Sequence, residues 1–143
     1  MVQEEYKDLF EVSQGYYIMH AISADLNLGA GIAKEIDQRY NMEARLSDYV
    51  KDILGTAPEV GSCIPVGNVL NLVVKGKAFR KPSYDDIGMA LEEARDWAEE
   101  NHVDRIAMPK IGCGRDRLDW NTVKEIIDDI FDDSDIELLV CLN

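Results

Sequence analysis

Residues 109–118 read Pro109-Lys-Ile-Gly-Cys-Gly-Arg-Asp-Arg-Leu118, a glycine loop that follows a short apolar segment and precedes a helical pattern. The apolar segment, Arg105 to Met108, predicts a strand. Thr122 and Glu125 predict a capping box at the start of a helix. The buried face of that helix is expected to hold Val123, Ile126, Ile127, Ile130 and Phe131. Because glycine tolerates the positive φ values that turn successive backbone N–H groups toward one anion, this stretch predicts a strand, an anion-binding loop and a helix in succession.

A second glycine loop occurs in the same setting earlier in the chain. Tyr16 to Ile22 predicts a strand, Gly29-Ala30-Gly31 a tight loop, and Ile32 to Tyr40 a helix whose N-terminal dipole favours a phosphate. Two such loops can hold a diphosphate between them. Glycines at strand-to-helix turns also occur for geometric reasons alone, and neither loop completes a dinucleotide or triphosphate fingerprint.

The other segments extend the alternation of strands and helices. They predict a helical stretch at 42–54, a loop region with Pro58, Gly61 and Pro65, a buried strand at Val69 to Val74, a helix capped by Ser83, and a last strand at Ile136 to Leu142. This order predicts a three-layer α/β fold with a mostly parallel sheet, in which ligands bind beyond the carboxyl ends of the strands. We expect one domain over residues 1–143.

The charge of the chain bears on its partners. A formal net charge of -13 repels polyanions, so a broad electrostatic contact with nucleic acid is not expected. One basic cluster departs from that balance, with four of the fifteen basic residues, Lys75, Lys77, Arg80 and Lys81. It is either a site for an anionic ligand or a solvated surface loop.

The cysteines and histidines do not predict a disulfide framework, a metal site or a bound cofactor. Cys63, Cys113 and Cys141 lack a CxxC spacing, and His20 and His102 have no clustered partners. Cys113 is better explained as a small residue in the glycine loop than as a nucleophile. With no apolar run long enough for a membrane span and no export signal, a cytoplasmic location is expected.

Five segments resemble, in order and spacing, the macrodomain family, in particular its terminal ADP-ribose protein glycohydrolase subfamily. They are His20-Ala-Ile-Ser-Ala-Asp25, Leu28-Gly-Ala-Gly-Ile-Ala33, Leu72-Val-Val-Lys75, Lys81-Pro-Ser-Tyr84 and the stretch Pro109 to Leu118. The resemblance extends from about Asp8 to the last strand. It implies a three-layer α/β/α macrodomain with a central mixed, mostly parallel sheet.

The resemblance also implies a binding site for ADP-ribose. Asp8 corresponds to the residue that holds the adenine amino group, Ser23 falls near the distal ribose, and the two glycine loops correspond to the phosphate-binding loops. The implied binding residues are Asp8, Leu9, Ser23, Asp25, Gly29, Ala30, Gly31, Ile32, Ile111, Gly112, Cys113, Gly114 and Arg115. The chain departs from other macrodomains in having Ser23-Ala24-Asp25 where many use an asparagine to position water, and Cys141 where some members place an aromatic residue near adenine.

The catalytic residues implied by the resemblance are Lys75 and Asp116. Lys75 would attack the anomeric carbon of the distal ribose and release a carboxylate side chain, and Asp116 would help to resolve the lysyl adduct. Without the resemblance, the favoured interpretation is that Lys75 is a surface residue at a strand end and that Asp116 pairs with Arg115 or Arg117. The favoured function is an ADP-ribosyl hydrolase that acts as a monomer on ADP-ribosylated protein at Glu or Asp. The alternatives are hydrolysis of O-acetyl-ADP-ribose, ADP-ribose-1″-phosphate or ADP-ribosylated DNA, and recognition of ADP-ribose without turnover.

Overall fold

The computed structural model describes residues 2–142, which build a six-stranded sheet with helices on both faces. The strands are β1 (Val2–Tyr6), β2 (Tyr17–Ser23), β3 (Ser62–Val66), β4 (Val69–Lys75), β5 (Arg105–Met108) and β6 (Glu137–Leu142). Their order across the sheet is β1-β6-β5-β2-β4-β3. Neighbouring strands are parallel except for the antiparallel pair of β3 and β4. The predicted mixed, mostly parallel sheet is therefore confirmed.

The helices form the two outer layers. They are α1 (Gly31–Tyr40), α2 (Met42–Tyr49, extended by a π-helical turn at Val50–Leu54), α3 (Tyr84–Glu100) and α4 (Trp120–Phe131), and a 3-10 turn spans Leu9–Glu11. One apolar cluster joins α1 and α2 to the sheet, and another joins α3 and α4 to its opposite face. This arrangement confirms the predicted three layers. In the part of the chain that the structure describes, no helix has the length and apolarity needed to cross a bilayer.

β4 shows why its sequence forms a central strand. The predicted apolar run from Val69 to Val74 is fully buried. Successive side chains point to opposite faces of a sheet, so Leu70, Leu72 and Val74 pack toward α3 and α4, while Val73 packs toward α1 and α2. Only a strand covered on both faces can bury every side chain of such a run.

Two strands were missed by the sequence analysis, and both lie at the edges of the sheet. β1 has the sequence Val-Gln-Glu-Glu-Tyr, and its last four residues are exposed. β3 lies in the region interpreted as a loop, and it contains Pro65, opposite Leu70 of β4. An edge strand needs neither a buried face nor a donor at every residue, so polar residues and proline are tolerated there and the usual sequence pattern is absent.

The helix starts are set by side-chain caps. Ser83 caps α3 as predicted, since its Oγ accepts a hydrogen bond from the Asp86 amide at 3.1 Å. The predicted capping box at Thr122 is wrong. The cap of α4 is Asp119, whose carboxylate accepts from the amide of Thr122 at 3.2 Å and from its hydroxyl at 2.8 Å, so α4 begins at Trp120. The amide of Asp119 donates to the Tyr84 hydroxyl at 3.2 Å, a contact between distant segments that local sequence does not reveal.

Candidate functional site

A cleft of about 640 Å³ lies at the carboxyl ends of the parallel strands. Because β2, β4, β5 and β6 all run in one direction, their last residues and the loops that follow meet at the same edge of the sheet. Of the predicted site residues, the cleft is lined by Leu9, Ser23, Gly29, Ala30, Gly31, Ile32, Lys75, Ile111, Gly112, Cys113, Gly114, Arg115 and Asp116. The fold thus brings together residues from both glycine loops and both predicted catalytic residues.

The first glycine loop leads directly into α1. Leu28, 2% exposed, anchors the loop in the core, and its amide donates to the Glu43 carboxylate at 3.1 Å. Gly31 has a φ of +59°, a left-handed conformation that glycine adopts without strain. Unlike α3 and α4, α1 has no side-chain cap. Its first N–H groups therefore lie at the wall of the cleft without a capping side chain, an arrangement suited to a phosphate.

The second glycine loop is anchored at both ends. Ile111 and Leu118 are 2% and 7% exposed and belong to the core beneath α3 and α4. Between them Gly112 has a φ of +76°, and its carbonyl accepts from the Leu118 amide at 2.8 Å. A further turn closes where the Arg117 amide donates to the Gly114 carbonyl at 3.2 Å. These anchors fix the intervening residues at the cleft, so their amides need little reorganisation to meet an anion.

Lys75 and Asp116 form an ion pair in the cleft. The Lys75 Nζ donates to the Asp116 Oδ1 at 2.6 Å, and the two side chains are 13% and 21% exposed. Lys75 is held by the end of β4, where its carbonyl accepts from the Ala24 amide at 2.8 Å. Asp116 comes from the second glycine loop. A nitrogen and a carboxylate able to exchange a proton with it are therefore held in direct contact in the cleft.

Ser23 and Asp25 form a brace beside Lys75. Ser23, 3% exposed, donates its hydroxyl to the Asp25 Oδ1, which also accepts from the Asn27 amide at 3.1 Å. The other Asp25 oxygen accepts from the Ala78 amide at 3.0 Å. Burial raises the pKa of Asp25, but these hydrogen bonds and the charge of Lys77 outweigh it, so the pKa lies below the ordinary value. Asp25 thus stays ionised and ties the first glycine loop to the loop after Lys75.

Asp8 and Asp25 are the two predicted binding residues that do not line the cleft. Asp8 is exposed and caps the 3-10 turn, where its carboxylate accepts from the Phe10 amide at 2.9 Å. Its neighbour Leu9 lines the cleft and belongs to the apolar cluster that includes Cys141. Asp25 acts on the site through Ser23 and Ala78, as described above. Direct contact of either carboxylate with a ligand stays a prediction.

Cys113 behaves as a structural residue of its loop. Its thiol donates to the Ile111 carbonyl at 3.4 Å. Burial raises the pKa of the thiol, an effect that Lys110 partly opposes and Asp119 reinforces. Because the thiolate is the reactive form, both facts favour the interpretation of Cys113 as a small loop residue. Within residues 2–142 no three side chains of His, Cys, Asp or Glu are grouped as metal ligands.

The sequence analysis missed several residues of the cleft wall. They are His20, Ala21, Ile22, Asn27, Ala33, Ala78, Phe79, Pro109 and Lys110. Cys141, which the resemblance placed near adenine, also lines the cleft. It lies in β6, three strands from Lys75 in β4, and belongs to one apolar cluster with Leu9. The one available signal for Phe79 was its position as an aromatic residue within the cluster Lys77-Ala-Phe-Arg-Lys81.

His20 is a buried polar residue beneath the cleft. Its Nε2 lies 2.6 Å from the Asn71 Oδ1 on the adjacent strand. Asn71 donates its own amide group to the Ile64 carbonyl at 3.0 Å, so Nε2 of His20 carries the proton. Burial lowers the pKa of His20 to about 4, although the hydrogen bond to Asn71 partly opposes this. His20 is therefore neutral at physiological pH.

We expect His20 to make folding sensitive to acid. The pKa of His20 in the folded state is lower than its ordinary value of 6.5, so the unfolded chain binds the proton first as the pH falls. The stability that is present above pH 6.5 is therefore lost as the pH falls toward 4. Urea unfolding at about pH 7 and about pH 4.5 should show that the wild type loses roughly 2.5 kcal/mol more than His20→Gln. Glutamine can still donate to Asn71 but does not titrate. Parallel losses in the two proteins would contradict a neutral, buried His20.

Comparison with known proteins agrees with this geometry. A model of the Macro domain family matches residues 19–127. ADP-ribose glycohydrolase OARD1 of Bos taurus is 34% identical over 134 residues, which cover 93% of this chain and 86% of that protein. The human protein of the same name is 32% identical over the same coverage.

Solved structures share the fold at lower sequence identity. The macrodomain of Mycobacterium tuberculosis DarG superposes with a TM-score of 0.87 at 19% identity, over 99% of this chain and 97% of that one. Thermosipho africanus DarTG in complex with ADP-ribose superposes with a TM-score of 0.83 at 14% identity, over 99% of this chain and 41% of that one. On the family match, the OARD1 relatives and the shared architecture, the chain belongs to the macrodomain family.

Proposed function

We propose that this protein removes ADP-ribose from the glutamate and aspartate side chains of modified proteins, with Lys75 as nucleophile and Asp116 as proton-transfer residue. The observation that carries the proposal is the Lys75–Asp116 pair, with 2.6 Å between Nζ and Oδ1, in a cleft that both glycine loops line. The relatives named ADP-ribose glycohydrolase OARD1, at 34% and 32% identity, support the activity class.

The cleft fits the shape and charge of ADP-ribose. Its volume of about 640 Å³ lies within the range of small-molecule sites. The N-terminus of α1 and the Gly112 loop offer backbone amides from two sides, as a diphosphate requires. Leu9 and Cys141 belong to one apolar cluster and would provide surface for adenine on the β6 side of the cleft, three strands from Lys75 in β4. The distal ribose would then lie at the opposite end, beside Lys75.

The first chemical step would be displacement of the carboxylate at the anomeric carbon. The Lys75 ammonium passes a proton to Asp116 as the amine attacks the anomeric carbon of the distal ribose. The bond from that carbon to the ester oxygen breaks, and the electron pair leaves with the carboxylate of the modified side chain. The product is the free Glu or Asp side chain and an adduct in which Lys75 is bonded to ADP-ribose.

The second step would be hydrolysis of that adduct. Asp116 first passes the proton it took from Lys75 to the departing carboxylate and is again ionised. It then takes a proton from water as the water oxygen bonds to the anomeric carbon, the carbon–nitrogen bond breaks with the electron pair returning to Lys75, and Asp116 reprotonates the amine. The sum of the two steps consumes one water and yields free carboxylic acid and ADP-ribose. A carboxylate within hydrogen-bond distance of the nucleophile serves both steps, whereas a module that only bound ADP-ribose would need neither group.

Paired substrates of different linkage test the proposal. We expect release of ADP-ribose from a glutamate-linked ADP-ribosylated protein, and none from an arginine-linked one, because a carboxylate is a far better leaving group than a guanidine. Release would be followed by chromatography of free ADP-ribose. Binding of ADP-ribose without release from either substrate would favour a reader, and release from both would contradict the ester mechanism.

A further inference from the structure

We propose that the loop after β4 is a subsite for the polypeptide that leaves, and that it selects modification sites flanked by acidic residues. The proposal rests on the function given above, since it names the substrate class of the same site. The loop presents a basic ridge, defined here as Lys77, Phe79, Arg80 and Lys81, of which every side chain is exposed. The ridge follows Lys75 directly in sequence.

Lys75 connects the cleft to a second, smaller cavity. This cavity, of about 300 Å³, is lined by Val60, Val74, Lys75, Gly76, Arg80, Lys81, Pro82, Ser83 and Asp86. Lys75 lines both cavities. An ester bond placed at the Lys75 amine would have its ADP-ribose in the large cleft, so the small cavity offers space on the other side of Lys75 for the amino acid that bears the ester.

The charges of the ridge are free to meet a ligand. Among residues 2–142 no carboxylate oxygen lies within 4.0 Å of a side-chain nitrogen of Lys77, Arg80 or Lys81. None of the three cations forms an ion pair within residues 2–142, although the charge of Lys77 also acts on Asp25, and the formal net charge of the chain is -13. The surface is therefore positive at the ridge and acidic elsewhere, so it favours binding of a short segment with a few carboxylates at the ridge.

Phe79 adds an apolar contact at the junction. It lines the ADP-ribose cleft and is 83% exposed, unusual for a phenylalanine. The Arg80 guanidinium lies 5.9 Å from its ring centre. The loop is preorganised, because the Ala78 amide donates to Asp25 at 3.0 Å and the Arg80 amide donates to the Lys77 carbonyl at 3.1 Å. An aliphatic stem of a glutamate or its neighbour can pack on this ring.

The observations favour a polypeptide over a nucleic acid as occupant. Three exposed cations match the two or three carboxylates of a short acidic segment. A nucleic acid would extend its phosphates beyond the ridge over the acidic remainder of the surface, where repulsion grows with length.

Matched substrates and variants test the subsite. The substrates are a glutamate-ADP-ribosylated peptide with acidic neighbours, the same peptide with Gln and Asn in their place, and the ADP-ribose ester of a single capped glutamate. The ridge variant is Lys77→Gln, Arg80→Gln and Lys81→Gln combined. The control variant, Lys51→Gln, Arg105→Gln and Lys124→Gln combined, changes the net charge equally, but none of its residues lines either cavity.

We expect the ridge variant to lose about tenfold in kcat/KM on the acidic peptide. Its affinity for free ADP-ribose should stay unchanged, and its kcat/KM on the capped glutamate ester should fall far less than on the acidic peptide, because that ester has no acidic neighbours. The control variant should resemble the wild type on all substrates. For the wild type, raising salt from about 50 mM to about 500 mM should remove the preference for the acidic peptide over its neutral counterpart.

Several outcomes would overturn the subsite. The first is an equal loss of kcat/KM on the acidic peptide and the capped ester, and the second is no loss on the acidic peptide. An ADP-ribosylated oligonucleotide is assayed in parallel, and a loss confined to it would assign the ridge to nucleic acid. Failure of the wild type to cleave any ester would instead refute the proposed function. In that case the ridge is still tested by fluorescence anisotropy with a labelled form of the ADP-ribosylated acidic peptide. Its affinity for the protein should fall about tenfold in the ridge variant alone.

Discussion

Replacement of Lys75 by alanine is expected to lower kcat on a glutamate-linked substrate by at least about a thousandfold. The variant lacks the amine proposed to attack the ribose carbon and, with it, the 2.6 Å contact with Asp116. The affinity for free ADP-ribose, measured by calorimetry, should change little, because the two glycine loops are proposed to hold the diphosphate. Loss of binding together with loss of turnover would mean that Lys75 anchors the ligand.

Lys75→Arg distinguishes a nucleophile from a fixed charge. Arginine retains the positive charge and can still pair with Asp116, but a guanidinium does not lose its proton under ordinary conditions and cannot attack carbon. We therefore expect this variant to be as inactive as Lys75→Ala. If it keeps most of the activity, the covalent step is wrong, and Lys75 acts by stabilising charge.

Asp116→Ala tests the later step of the same mechanism. Proton transfer from Lys75 should slow as well, but solvent can accept that proton, whereas no other group is proposed to activate the water. The adduct between Lys75 and ADP-ribose should therefore accumulate. Intact-protein mass spectrometry after brief incubation with a glutamate-linked substrate would show an increase equal to one ADP-ribose. The double variant with Lys75→Ala is the control, and it should show no such increase.

The second large effect is expected at Gly112. Its φ of +76° is a conformation that a β-branched residue adopts only with strain, and a Cβ at this position would lie 2.8 Å from the Leu118 Cδ1 and 3.3 Å from the Ile87 Cδ1. Gly112→Val should therefore displace the loop and weaken ADP-ribose binding by at least about a hundredfold. Calorimetry with ADP-ribose measures the affinity, and urea unfolding measures the accompanying loss of stability.

Gly114 offers a matched control in the same loop. Its φ is not in the left-handed region, and a Cβ added there would meet no heavy atom within 4 Å. Gly114→Ala should keep the stability of the wild type, so a loss seen only in Gly112→Val is attributable to the positive φ of Gly112 and its close contacts with Leu118 and Ile87. A folded Gly112→Val protein that binds ADP-ribose normally would show that this loop does not hold the phosphates.

The sequence by itself determined the local elements and their class. The buried run at Val69 to Val74, the cap at Ser83 and the glycines after β2 and β5 each depend on neighbours within a few residues, so periodicity and turn chemistry reveal them. These elements in alternation were enough for the α/β prediction. The resemblance of the segments around Lys75 and Asp116 then indicated which residues to examine, although their catalytic roles stay predictions.

The tertiary structure decided which residues meet. Lys75 and Asp116 are 41 positions apart and form their pair only because β4 and the loop after β5 end at one edge of the sheet. The same edge brings Cys141 and Phe79 to the cleft and lets Asp25 bind the Ala78 amide across 53 positions. The sequence analysis also missed β1 and β3, because an edge strand forms by pairing with its neighbouring strand and does not require an apolar pattern of its own. Contacts of this kind depend on strand order and loop packing, which are set by the free energy of the whole fold and leave no periodic pattern in the residues that make them.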